Sequence, residues 1–164
     1  MLFRIAFAII MGWSSISMAW QRDMQSSFNY DAYYQAFSSE DTLLFNREIE
    51  ALLPYSGIEK DAFYGAILMK KSKSLPTIKR KLDTFKEGRD LLENSIKSDT
   101  QNLEFRFLRL ATQENAPGFL NYDNNKKEDA SIIVTSFGNL PPISRKYIRE
   151  YARFSETLKP EDLK

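Results

Sequence analysis

One glutamate stands on the wrong side of an otherwise regular helical pattern. The stretch NLEFRFLRLATQEN, residues 102–115, advances by about 100° per residue if it is helical. With Leu103 at zero, Phe107 falls at about 40°, Leu110 at about 340°, Ala111 at about 80° and Glu114 at about 20°. Glu114 thus sits in the middle of the apolar arc. Burial and the helix C-terminus both oppose a carboxylate there, so it must have partners. Two sources suggest themselves: backbone N–H groups of the 116–119 turn, or a basic residue on a facing helix such as Arg89. The alternative that would carry chemistry is a proton-holding acid in a cleft. Arg106, Arg109 and Gln113 cluster opposite, a polar row read as a solvated face, with a carboxylate- or phosphate-binding strip as the other use. Asn115 at the helix end and Tyr122 just beyond complete the candidate interaction or buried-polar set of Arg89, Arg106, Arg109, Gln113, Glu114, Asn115 and Tyr122.

Other charged groups are less pointed. Arg145, Arg149 and Arg153 recur every fourth residue, but Glu150 and Glu156 dilute their field. Lys70, Lys71, Lys73, Lys79, Arg80 and Lys81 form the densest basic run, read as a solvated turn; anionic lipid headgroups or polysaccharide are the competing contacts. It lacks the interleaved aromatics of a single-strand binder, so no nucleic-acid partner is expected. Asp123-Asn124-Asn125 with Glu128-Asp129 misses the spacing and mid-loop glycine of a calcium loop and reads as a helix cap.

Composition removes whole classes of chemistry. The 164-residue chain has no His and no Cys, and its 23 basic and 22 acidic side chains nearly cancel. Ser-His-Asp triads, thiol nucleophiles and His- or Cys-based metal sites are therefore impossible. No cofactor or metal is implied. Any enzyme would rely on groups such as Glu114 paired with Glu104 or Asp129, in the manner of paired-carboxylate hydrolases.

The elements that must position these groups read as helices. Ser38-Ser39-Glu40-Asp41 starts one that ends before Pro54. A second runs from about Ile58 to Ser74; its AFYGAILM core is apolar or small all round, and Gly65 and Ala66 would admit a close neighbour. Ile78, Leu82, Phe85, Leu92 and Ile96 mark a third helix, with Arg89 on the same stripe. The fourth covers 102–115. The fifth starts near Asp123 and shows Ala130, Ile133, Val134 and Phe137 on one face. The last carries Ile143, Tyr147, Tyr151, Phe154 and Leu158. Short Pro-, Gly- and Asn-rich links imply antiparallel neighbours. The expected fold is all-α, about six helices in stacked antiparallel hairpins.

Leu91-Leu92-Glu93-Asn94-Ser95-Ile96-Lys97-Ser98-Asp99, followed by a new helix, resembles the end of a tetratricopeptide-type hairpin. Gly65-Ala66 is similar to the small-residue position of helix A in such repeats, although the two candidate helix-A segments, near Ala62 and Leu103, lie further apart than the usual ~34 residues. Arg106-Phe107-Leu108-Arg109-Leu110, then Gln113-Glu114-Asn115-Ala116-Pro117, then Phe119-Leu120-Asn121-Tyr122 resembles uncharacterised exported helical proteins of Gram-negative bacteria. That likeness covers roughly residues 60–137 and implies a shared fold without an activity.

The N-terminus has the parts of an export signal: Arg4, an apolar core from Ile5 to Trp13, and small residues at Ser17 and Ala19. A spanning helix needs about 20 apolar residues, twice what is present. The expected organisation is a cleaved signal peptide (1–19), an aromatic and polar segment (20–37), one helical domain (38–159) and a short tail (160–164). The expected role is a non-enzymatic interaction module, periplasmic or secreted, for a protein or peptide of the cell envelope, with no stable membrane span after cleavage.

Overall fold

Side-chain caps set where the main helices begin. Asn29 accepts from the Ala32 N–H, Asp41 from Leu43, Thr77 from Arg80, and Asn102 from both Glu104 and Phe105. The computed structural model describes residues 24–164 and is all-α, with no strand among the described residues. The expected signal peptide lies outside them. The helices are α1 (Met24–Ser27), α2 (Tyr30–Phe37), α3 (Thr42–Leu52), α4 (Ile58–Ser72), α5 (Ile78–Ser98), α6 (Leu103–Asn115), α7 (Lys126–Ser136) and α8 (Pro142–Ala152), with 3₁₀ turns at Gly118–Leu120, Phe137–Asn139 and Pro160–Asp162. None of the described helices is long and apolar enough to cross a membrane.

The α4–α5 hairpin is the most extensive packing among the described residues, and α4 also touches α3 and α6. Two glycines bring its backbones together. A Cβ added at Gly65 would lie 2.4 Å from the Gly88 carbonyl oxygen, and one at Gly88 would meet the Gly65 carbonyl at the same distance. Gly88 and Ser95 are the small buried positions beside Phe85, Leu92 and Ile96. Ile78, at the start of the stripe, is exposed.

Three boundaries differ from the sequence expectation. The described part of the 20–37 segment, residues 24–37, is not separate from the domain, because α2 is inside the core. Tyr33 and Tyr34 are fully buried, the Tyr33 hydroxyl donates to the Phe63 carbonyl at 2.8 Å, and Tyr34 stacks on Tyr147 with centroids 5.2 Å apart. The 160–164 tail is docked: Leu163 is buried and its carbonyl accepts from Arg149. Finally, the last helix stops at Ala152, so Phe154 projects into solvent at 87% exposure while Leu158 returns to the core. Ser155 breaks the helix by accepting from the Thr157 and Leu158 N–H groups, a local alternative to the helical ladder.

Candidate functional site

The row on α6 is buried, contrary to the solvated face expected of it. Arg106 and Arg109 are each only 5% exposed, and Gln113 is 2% exposed. What draws them in is Asp129 on α7, itself fully buried. Arg109 grips it with two parallel bonds, Nε to Oδ2 and Nη2 to Oδ1, both 2.7 Å, and Arg106 adds Nη1 to Oδ1 at 2.8 Å. A forked guanidinium–carboxylate pair is among the strongest polar contacts a protein makes. Arg109 Nη1 also reaches Glu93 on α5 at 3.0 Å, and Glu93 accepts from the Tyr122 hydroxyl at 2.7 Å. Arg106 donates to the Thr100 carbonyl and to Glu128. Burial, the largest single influence, pulls the Arg109 guanidinium down, but Asp129 and Glu93 together outweigh it and hold its pKa above the ordinary arginine range. Burial first, then Glu93, pushes the Tyr122 phenol up.

The 123–129 segment is not a side-chain cap. Asn125 precedes α7 without capping it through its side chain, and its N–H instead donates to Gln113 Oε1 at 3.2 Å. No cluster of metal-ligating side chains occurs among the described residues. The network thus ties α5, α6, α7 and the turn between the last two. Of the seven residues singled out by sequence, it brings together Arg106, Arg109, Gln113 and Tyr122. Asp129 and Glu93 are the members whose roles the spacing does not reveal, although the rule that singles out Glu114 applies to Asp129. It lies four residues before Ile133, on the face that α7 buries.

Glu114 is elsewhere, held by the C-terminal segment. It accepts from the Tyr151 hydroxyl at 2.5 Å, Ser155 Oγ at 2.9 Å, the Thr157 N–H at 3.0 Å and Thr157 Oγ1 at 2.6 Å. Neither the 116–119 turn nor Arg89 supplies a partner. Arg89 is half-buried and pairs with its neighbour Asp90. Asn115 donates to the Ala111 carbonyl and to the Tyr151 hydroxyl. Burial, then the bond to Glu114, raises the Tyr151 pKa.

A third carboxylate faces open space. Glu104 accepts from Ser144 Oγ at 2.5 Å and the Tyr34 hydroxyl at 2.9 Å, joining α6 to α8 and α2. It lines a 370 Å³ cavity with Glu59, Tyr30, Pro141, Ile143 and Ser144. Burial pushes the Glu104 carboxyl up, its two hydroxyl donors pull it down, and Glu59 adds a further upward push; the net shift is upward. Glu59 was not foreseen, because nothing in its spacing separates it from an ordinary first-turn acid.

Another concavity is apolar. It holds 80 Å³ between the end of α4, the start of α5, the end of α6 and the following turn. Met69, Leu82, Phe85, Ala116, Pro117 and Leu120 supply its apolar lining, Lys73 and Lys81 stand at its edge, and Phe119 is a wall residue exposed by 76%. No family model, curated protein or solved structure matches this chain.

Proposed function

We propose that the protein is an exported, non-enzymatic interaction module of the cell envelope, kin to the exported helical-hairpin proteins it resembles, that docks another protein at the apolar cleft. The observation that carries this reading is the cleft itself, with an exposed phenylalanine wall and exposed lysines beside it. Large exposed aromatics flanking an apolar slot are a common feature of protein-binding surfaces. Charged groups of α6 and α7 are engaged within the fold. Arg106, Arg109, Glu114 and Asp129 bond to partners within the chain, and no buried side-chain nitrogen or oxygen among the described residues lacks one.

Photo-crosslinking from position 119 in living cells tests the proposal. A discrete adduct from 119, absent when the crosslinker is moved to exposed position 154, is expected; equal labelling from both would refute a dedicated docking face. Sequencing the N-terminus of the exported protein should begin at Trp20.

A second reading, a carboxylate-dependent hydrolase or lyase acting on envelope glycan or lipid, has one observation in its favour. Glu59 and Glu104 line the same cavity, and Glu104 holds its proton more tightly than an ordinary carboxyl. This pair takes the place of Glu114 with Glu104 or Asp129, since all four carboxylates accept intramolecular donors but only Glu59 and Glu104 line this cavity. Loss of a hydrolytic activity in Glu104→Gln and in Glu59→Gln, with the fold retained, would favour it over the docking reading.

A further inference from the structure

The docking cleft also says what kind of segment fits it. We infer that its occupant is an acidic peptide segment of a partner protein, with one bulky apolar side chain inserted and carboxylates on either side of that residue. This inference rests on the docking reading and adds the chemistry of the partner.

Size restricts the inserted group. The cleft encloses 80 Å³, below the ~150 Å³ of an engineered cavity that takes up benzene. It therefore accepts the end of a single side chain, with the rest left outside, and is too small to sheathe an acyl chain. The lining restricts its polarity. Ser72 and Thr112 contribute hydroxyls, but these donate at 2.7 Å to the Met69 and Leu108 carbonyls of their own helices. Their hydrogen is already used, and the amide of Asn115, the other uncharged polar lining residue, donates to the Ala111 carbonyl and the Tyr151 hydroxyl, so the slot favours an inserted apolar group over a polar one.

Charge restricts what surrounds the inserted group. Lys70, also at the cleft, is occupied: it pairs with Glu40 at 3.0 Å and lies over the Phe37 ring. Lys73 and Lys81 are exposed and make no ion pair within 4 Å among the described residues, although Glu40, already bonded to Lys70, also feels the charge of Lys73. Lys73 is the cap residue just past α4, and Lys81 lies in the first turn of α5. Two cations supplied by separate elements beside one apolar slot complement a segment with carboxylates near its apolar residue. The chain has almost no net charge to steer an acidic partner, so this local pair must supply the attraction.

The test pans a random peptide library displayed on phage against the full chain and measures the winning peptides by fluorescence anisotropy. Winners should carry a single large apolar residue with Asp or Glu close to it. Their affinity should fall about tenfold in the double variant Lys73→Glu/Lys81→Glu, roughly two exposed ion pairs' worth, and weaken as salt rises. Both sites are exposed, so the fold should be unaffected by circular dichroism. Phe119→Ala, also at an exposed site, and Ala116→Phe, which fills the slot, should weaken the same peptides.

If winners bind the cleft, losing affinity in the Phe119 and Ala116 variants, but carry no acids and ignore the charge reversal, the acidic-partner inference is wrong while the docking reading stands. If no winner responds to any cleft variant, both fail. Binding to vesicles of phosphatidylglycerol and phosphatidylcholine that the lysine reversal abolishes, with no peptide selected, would assign the cleft to a lipid surface and overturn the inference.

Discussion

Asp129 and Glu128 are neighbours in sequence that meet the same arginine, yet they differ in what they contribute. Asp129 is fully buried against two guanidinium groups, while the Glu128 side chain is 56% exposed at 3.2 Å from Arg106. Removing the buried carboxylate leaves Arg109 with Glu93 alone and Arg106 with Glu128 and the Thr100 carbonyl, two under-compensated buried cations, a loss of about 3–5 kcal/mol. Asp129→Ala should therefore lower the urea midpoint sharply. Glu128→Ala breaks a pair that water already screens, and should cost no more than about 1 kcal/mol. Equal effects in the two variants would mean that the network is held by something other than the burial of Asp129. The buried fork, together with the bond to Glu93, favours this meeting of helix faces, since Arg109 satisfies Asp129 and Glu93 together with α5 and α7 flanking α6.

At the scale of elements, α4 and α5 are brought together by what they lack. Gly88→Ala gains up to about 1 kcal/mol of helix propensity, yet its new Cβ would lie 2.4 Å from the Gly65 carbonyl oxygen. Rigid backbone cannot yield as a side-chain tip would, so the helices must part, at a cost of about 1–3 kcal/mol or more. A lowered melting temperature in both Gly88→Ala and Gly65→Ala is the expected outcome. The end of α8 offers a contrast. Phe154 belongs to the apolar stripe in sequence but is exposed, so Phe154→Ser should change stability by no more than about 0.5 kcal/mol. Leu158, on the same stripe, is fully buried, and Leu158→Ala should cost about 2–5 kcal/mol. Denaturation of the pair reads directly whether the helix stops at Ala152. Glu114 participates in that stop, since it binds Ser155 and Thr157 in the segment that turns away.

For the whole molecule, Glu104 imposes a pH dependence of its own. Its folded carboxyl holds a proton more tightly than the ordinary value of 4.5, because burial, opposed by Ser144 and Tyr34 and reinforced by Glu59, favours the neutral form. Its contribution to stability is complete below 4.5 and fades as pH rises through the raised folded value. Asp31, Glu40 and Glu128 are shifted down and act in the opposite sense, but they are present in any Glu104 variant too. Glu104→Gln, a permanently neutral stand-in, should thus gain on the parent protein as pH is raised from acidic to neutral in paired denaturation series. A constant difference would exclude Glu104 as the titrating group. Much of this architecture is legible in sequence. Periodicity, caps and Pro/Gly breaks are local properties, and they determine an all-α chain and the approximate span of most helices. The absence of His and Cys determines which chemistry is excluded and, without disulfides, leaves packing to hold the domain together. Helical phase also places Glu114 on a packed face, although it cannot name Tyr151, Ser155 and Thr157, which lie 37 to 43 residues away. Only tertiary structure decides that Arg106 and Arg109 are buried, because an arginine row is solvated or buried according to whether a carboxylate on another helix meets it. It likewise decides that α2 belongs to the core and that α8 ends early, since both depend on surfaces contributed from distant parts of the chain.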